Sequence, residues 1–305
     1  MSNDKLKRVK SKMKNFKRIT ALFASAVLLV SFAGCSTGET TAQIISKTSK
    51  LGSYSGKVDL NADVSMQGSE IKYGMSSDIS VKTEPFFAEV NITTSSDDPS
   101  LGGQYQSKMY LTTNDGVNTA YVGYNGEWNK QIIKADSFKY AVSQYNPVDN
   151  AVLFMQSATN LSNVGTEQFN GYTADKYEGT IAKGLIPDLM ESTGAISLVG
   201  QNIDSSYYEN AEDIPVTIWV NEEDGIIVGY KLDLTNLVNH LFDKLNESKT
   251  ATDENQKLKA VSYLCEAVIT DYNNEINTTL PEEALNAALI VDDTQNDSSA
   301  ADGNS

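Results

Sequence analysis

The sequence predicts a mainly β protein with a few helices, of the α+β class, built on one strongly curved antiparallel sheet. Along 58–66, apolar residues alternate with polar ones, a period of two that marks a strand with one buried and one solvated face. Asn125-Gly126 and Asn170-Gly171 each stand between two predicted strands, and Asn-Gly is the strongest short signal for a hairpin. We expect about nine or ten strands, and sheets of that size curl or close.

The first half of the chain is predicted to be one short helix followed by strands. The helix is expected at 42–51 and ends at Gly52. Pro85 fits the start of a strand, and 95–103 is a polar loop rich in Ser, Asp and Gly. Strands are predicted at 58–66, 71–81, 86–92, 104–112 and 119–124.

In the second half of the chain, the hydrophobic pattern changes twice from the period of a strand to that of a helix. Residues 137–160 are predicted to be helical, since Asn146 before Pro147 is a typical helix start. An amphipathic helix is expected at 234–245, and Pro281 opens a last short one. Residues 182–213 are expected to be irregular. The further strands are predicted at 165–169, 172–181, 214–220, 226–234 and 257–272.

The N-terminus has the pattern of a secretory signal peptide. Eight basic residues precede an apolar run from Ile19, and Ala33-Gly34 stands directly before Cys35. The run is short for a bilayer span, which takes about 20 apolar residues. The alternative is an uncleaved anchor helix with an incidental cysteine. Translation from Met13 would give a more ordinary leader.

Phe32-Ala33-Gly34-Cys35 resembles the lipobox of bacterial lipoproteins, with Phe32 in place of the usual leucine. The resemblance implies cleavage between Gly34 and Cys35 and a diacylglycerol on the Cys35 thiol. The protein would then be anchored to the extracytoplasmic face of the cell membrane. The expected organisation is a signal peptide at 1–34, a lipidated tether at 35–41, one domain at 42–291 and a disordered acidic tail at 292–305.

The net charge excludes one class of partner. The formal charge of the whole chain is −16, and removing residues 1–34, with eight basic residues and one acidic residue, leaves −23. So acidic a chain is not expected to bind nucleic acid, because binding to phosphates needs Lys and Arg. Two acyl chains are enough to hold a protein at a membrane. The membrane is therefore the expected partner, and the sequence names no protein partner.

The chain carries no recognisable catalytic or metal-binding set. His240 is the one histidine, and it lies near the edge of the apolar face of the predicted helix. The second cysteine, Cys265, falls in phase with the buried face of its strand and is expected to be a core thiol. The carboxylates of 221–225 suggest a solvated turn rather than a calcium loop. We expect no enzyme activity, no metal and no cofactor.

Three passages carry a resemblance to a known fold. They are Asn170-Gly171-Tyr172 with 175–179, the hairpin 214–233, and the closing strand with Leu280-Pro281. From Tyr54 onward this order resembles the lipoprotein-localisation-factor-like fold, which includes outer-membrane lipoprotein carriers and mycobacterial glycolipid-binding lipoproteins. Residues 110–130 fit the same pattern in uncharacterised Gram-positive lipoproteins. The resemblance implies a half-barrel, that is, an unclosed antiparallel sheet wrapped around helices with an apolar concave side.

Such a concave side would bind a lipid or another apolar small molecule in a cavity between sheet and helices. In the alternative, the same residues pack on the helices at 147–159 and 234–245, and the protein is a structural or protein-interaction module of the cell envelope. The in-phase candidates for the cavity are Val58, Leu60, Val64, Met66, Tyr73, Met75, Ile79, Val90 and Ile92.

Overall fold

One large sheet organises the part of the chain that the structure describes. The structure is a computed structural model, which describes residues 39–66, 69–98, 103–196, 203–248 and 257–290. The proposed signal peptide, Gly34, Cys35 and the tail at 292–305 lie outside these residues.

The described residues form twelve strands and six α-helices. The strands are β1 Ser53–Met66, β2 Ser69–Lys82, β3 Phe87–Ser96, β4 Tyr105–Asn114, β5 Val117–Tyr124, β6 Glu127–Ile132, β7 Ala158–Phe169, β8 Tyr172–Ile181, β9 Ile214–Asn221, β10 Ile227–Asp233, β11 Lys259–Thr270 and β12 Ala288–Ile290. The helices are α1 Thr41–Thr48, α2 Ala135–Tyr145, α3 Pro147–Ser157, α4 Ile186–Thr193, α5 Thr235–Ser248 and α6 Glu282–Leu285.

The strand order shows an open sheet. It runs β12-β6-β5-β4-β3-β2-β1-β11-β10-β9-β8-β7, and every described pair is antiparallel except β12 with β6. The edge strands β7 and β12 stand at opposite ends of this order, so the sheet does not close. The predicted class, a mainly β half-barrel with a few helices, is confirmed.

The Asn-Gly hairpins are confirmed. Asn125 and Gly126 have φ values of 50° and 83°, and Asn170 and Gly171 have 47° and 87°. Two central residues with positive φ match the right-handed twist of the flanking strands, which is why Asn and Gly are favoured there.

Two expectations for the middle of the chain were wrong. The strand predicted from 165 begins at Ala158, because β7 is an exposed edge strand with two bulges and lacks apolar alternation. The segment 182–213, expected to be irregular, contains α4 and a 3₁₀ turn at Ser205–Tyr208. Pro187 lies in the first turn of α4, and Gly194 ends it with a φ of 64°. Both residues are therefore helix boundary signals here.

Helices α1–α5 cover one side of the sheet, which we call the inner face, whereas α6 packs on the opposite side, where Ala284 is buried beside Tyr110 and Tyr121. Phe154 of α3 is fully buried, and its ring packs edge-on against Tyr230 of β10 with centroids 4.9 Å apart. Phe138 of α2 packs against Phe86 in the same way, with centroids 5.3 Å apart. Asn239 of α5 exchanges two hydrogen bonds of 2.9 Å with the backbone of Ala260. The core therefore lies between these helices and the inner face.

The prediction that Cys265 is a core thiol is confirmed. Cys265 is 2 % exposed on the inner face of β11. Burial raises the pKa of its thiol to about 12, with smaller contributions from the carboxylates of Glu266 and Asp59. The thiol is thus protonated at neutral pH and is a poor nucleophile.

We expect Cys265 to resist thiol reagents in the folded protein. In a Cys35→Ala chain at pH 8, Ellman's reagent should titrate no thiol under native conditions and one thiol in guanidinium chloride, because only unfolding exposes Cys265 and lowers its pKa. Rapid titration of the native chain would contradict this burial.

Candidate ligand-binding face

The two faces of strands β1–β5 differ sharply in charge. Alternation and register place Lys57, Asp78 and Lys108 in one row on the outer face, opposite to helices α1–α5. The neighbouring inner row holds Val58, Ser77, Ile92, Ser107 and Tyr124 instead. By the same alternation, all charged residues of these five strands lie on the outer face: Lys57, Asp59, Asp63, Glu70, Lys72, Asp78, Lys82, Glu89 and Lys108. The inner face of β1–β5 therefore carries no charged side chain.

Part of this uncharged face is accessible to solvent. Tyr105, Val122 and Tyr124 are 44 %, 41 % and 45 % exposed, and all three lie on the inner face of β4 and β5. We call these three residues and the half-buried Met109 beside them the open wing. Large apolar side chains that stay exposed together mark a binding surface more often than scattered ones do.

The predicted cavity residues form a band on the inner face. Leu60, Ile79 and Val90 are buried in the main core, with exposures of 1 %, 3 % and 1 %. The half-buried members of the band pack against that core: Val58, Val64, Tyr73, Met75 and Ile92. Met66 ends β1, and its side chain lies outside the description.

The band continues into the open wing. In the register, Ile92 lies opposite Ser107, which lies opposite Tyr124, and Val90 lies opposite Met109. The prediction did not include the wing residues, although 104–112 and 119–124 show the same alternation. Assigning alternate residues of these two strands to the inner face, as was done for β1–β3, would have identified the wing residues.

Where α3 covers the sheet, side chains fill the space. Ala151 and Phe154 are 0 % exposed, and Tyr230 beneath them is 1 % exposed. The inner face is thus packed under α3 and accessible at the open wing.

A groove of about 510 Å³ lies on the outer face, across β1 and β8–β11. The ring of Phe169 stacks on Trp219 with centroids 4.2 Å apart, and the Trp219 indole N–H donates to Glu167 at 2.7 Å. Each charged side chain that lines the groove is in an ion pair: Lys57 with Asp59 at 2.9 Å, Lys231 with Glu266 at 2.6 Å, and Lys176 with Glu178 at 2.9 Å. These interactions leave the groove without unpaired charge to attract an ion.

The carboxylate of Asp224, in the 221–225 turn, accepts two hydrogen bonds that stabilise the fold. Its Oδ1 accepts the Ile226 N–H at 3.1 Å, and its Oδ2 accepts the Tyr272 hydroxyl at 2.7 Å. Burial raises the pKa of Tyr272, so the hydroxyl keeps its proton and donates it. Over the described ranges, no group of three or more His, Cys, Asp or Glu side chains is arranged to hold a metal ion.

The α-helices of the described residues do not include one that is both long and apolar enough to cross a bilayer.

The described residues thus form an open, mainly antiparallel sheet with five of the six helices on its inner face, and this face is uncharged along β1–β5. The chain belongs to the family of unknown function DUF6612, which matches residues 36–208. No curated protein matches the chain. In the sheet, β9–β11 lie between β1 and β8. The structural domain therefore extends beyond the matched segment, because those three strands join its two parts.

Solved structures that resemble the chain include two mycobacterial lipoproteins. Lipoprotein LppX from Mycobacterium tuberculosis is 17 % identical, with 78 % of this chain and 95 % of that one covered and a TM-score of 0.44. LprF from Mycobacterium bovis is 13 % identical, with coverages of 80 % and 95 % and a TM-score of 0.46. Both belong to the group of lipoproteins that the sequence resemblance named. At these identities and TM-scores, neither protein assigns a function to this chain.

Proposed function

We propose that the protein is a membrane-anchored extracytoplasmic lipoprotein that binds a lipid or another apolar molecule non-covalently on the inner face of its sheet. The observation that carries this proposal is the inner face of β1–β5, which has no charged side chain and keeps Tyr105, Val122 and Tyr124 exposed. Covering such a surface with acyl chains releases about 25 cal/mol per Å² of apolar area. We propose binding and no catalysis.

The anchor belongs to the same proposal. Cleavage before Cys35 and diacylation of its thiol would hold the domain at the membrane despite a net charge of −23, since two acyl chains bind stably. The mature protein would then comprise the tether at 35–41, the domain at 42–291 and the acidic tail at 292–305.

The first test is extraction of purified, unacylated Cys35→Ala protein with organic solvent, followed by mass spectrometry. We expect co-purifying lipid. The second test measures affinity with a fluorescent fatty acid. Val122→Glu should weaken binding of this probe at least about tenfold, because a carboxylate would be buried under the acyl chain without a partner.

Val117→Glu is the matched control for Val122→Glu. Val117 lies on the same strand and is 45 % exposed, but its side chain is on the outer face. It should leave the affinity for the probe unchanged. Equal losses in both variants, or the absence of both lipid and probe binding, would refute the proposed site.

A protein-interaction module is the second candidate function, favoured by exposed apolar side chains beyond the inner face. Ile132 is 56 % exposed, Leu285 52 % and Leu289 47 %, at the β6–β12 edge of the sheet and on α6. If the protein lacks lipid and Ile132→Glu abolishes an association that Val122→Glu leaves intact, this second function is the better one.

A further inference from the structure

The start of the described chain is fastened to the tip of the β9–β10 hairpin. The Lys47 ammonium pairs with the Glu39 carboxylate and donates to the carbonyl oxygen of Asp224 at 2.7 Å. Gly225 turns the hairpin with a φ of 71°, and a Cβ there would collide with the Glu39 carboxylate. Glu39 therefore lies directly against the tip.

The packing of α1 adds to this arrangement. Thr40 and Gln43 form a capping box at the start of α1. Ile44 is 1 % exposed, and the Thr48 hydroxyl accepts the Ile227 N–H at 3.0 Å. The C-terminal end of the helix is thus held to β10, and Ile44 is buried in the main core.

We propose that the β9–β10 tip and the N-terminal end of α1 face the lipid headgroups. This inference rests on the proposed function, because it takes Cys35 as the lipidated residue. Three residues separate Cys35 from Glu39, and the four residue-to-residue steps between them reach at most about 14 Å. A diacyl group inserted in the bilayer therefore holds the tip within about that distance of the membrane surface.

The same geometry places the open wing away from the anchor. In the sheet order, β5 lies six strands from β10. At about 4.8 Å per strand, this separation is about 29 Å along the curved sheet. The ligand would accordingly be bound on the side of the domain that is remote from the Cys35 anchor.

The two tryptophans are natural reporters of this orientation. Trp219 lies on β9 two residues before the end of that strand. Trp128 lies on β6, the strand next to β5, and its ring stacks on Tyr110 of the outer face. The mature chain is coupled through the Cys35 thiol to a maleimide lipid in phosphatidylcholine vesicles that contain a dansyl-headgroup lipid. Cys265 does not compete, because it is buried.

Energy transfer to the dansyl groups should quench Trp219, measured in Trp128→Phe, more strongly than Trp128, measured in Trp219→Phe. If Trp219→Phe fails to fold, the difference between the wild-type chain and Trp128→Phe gives the Trp128 signal. Quenching of Trp128 equal to or greater than that of Trp219 would overturn the proposal.

A charge reversal tests the fastening. Lys47→Glu should reduce the difference in quenching between Trp219 and Trp128. Lys50→Glu, at an exposed position just after α1, should leave this difference unchanged. An unchanged difference in Lys47→Glu would refute the role of the fastening. Because coupling supplies the anchor chemically, the result is independent of acylation in cells, and lipid extraction tests the ligand separately.

Discussion

Replacing Phe154 with alanine should lower the free energy of unfolding by about 3–5 kcal/mol, the usual cost of a cavity where a buried phenylalanine stood. Phe154 is 0 % exposed and packs against Tyr230, itself 1 % exposed. The loss removes the main contact between α3 and the centre of the sheet. Urea unfolding of the unacylated chain, followed by circular dichroism, measures it.

Leu153→Ala is the matched control for this prediction. Leu153 precedes Phe154 in α3 and is only partly buried. Its truncation should therefore cost clearly less than that of Phe154. Equal costs would mean that α3 is not seated on Tyr230 in solution.

Asn146→Ala should lower the free energy of unfolding by about 2–4 kcal/mol, from a lost helix cap and an orphaned buried hydroxyl. The Asn146 side-chain oxygen accepts the N–H groups of Val148 and Asp149, both at 3.1 Å. It also accepts the Tyr54 hydroxyl at 2.6 Å. Burial raises the pKa of Tyr54, so this hydroxyl remains a neutral donor that needs an acceptor.

A double-mutant cycle separates the two contributions. Adding Tyr54→Phe to Asn146→Ala removes the orphaned hydroxyl and should recover part of the lost stability. Asn236→Ala is the control, since Asn236 is exposed at the start of α5. Strict additivity of Asn146→Ala and Tyr54→Phe would contradict the coupling of α3 to β1 through this bond.

The fold could be predicted where the local pattern of residues determines the secondary structure. Alternation along β1 identified the strand and its inner face, and Asn-Gly pairs located two hairpins. The prediction failed at β7, where solvent on both faces removes the alternation. It also missed α4 within 182–213, where Pro187 and Gly194 delimit the helix.

The candidate site was predicted only in part, because its location depends on what covers the sheet. Val58 and Leu60 share a strand and a face, yet Leu60 is buried and Val58 only half-buried. No local pattern distinguishes the two residues. The accessible part of the inner face follows from where α2 and α3 lie, and those positions are set by tertiary contacts such as that between Phe138 and Phe86.

The bulged edge strand β7 affects how one molecule can pair with another. An unpaired strand edge offers a template on which another chain can add its own strand. In β7 the register shifts twice, and Asn160 and Gly165 have positive φ values of 54° and 140°. A straight strand cannot follow this backbone for more than a few residues. The β7 edge is therefore a poor template for joining the sheets of two neighbouring molecules.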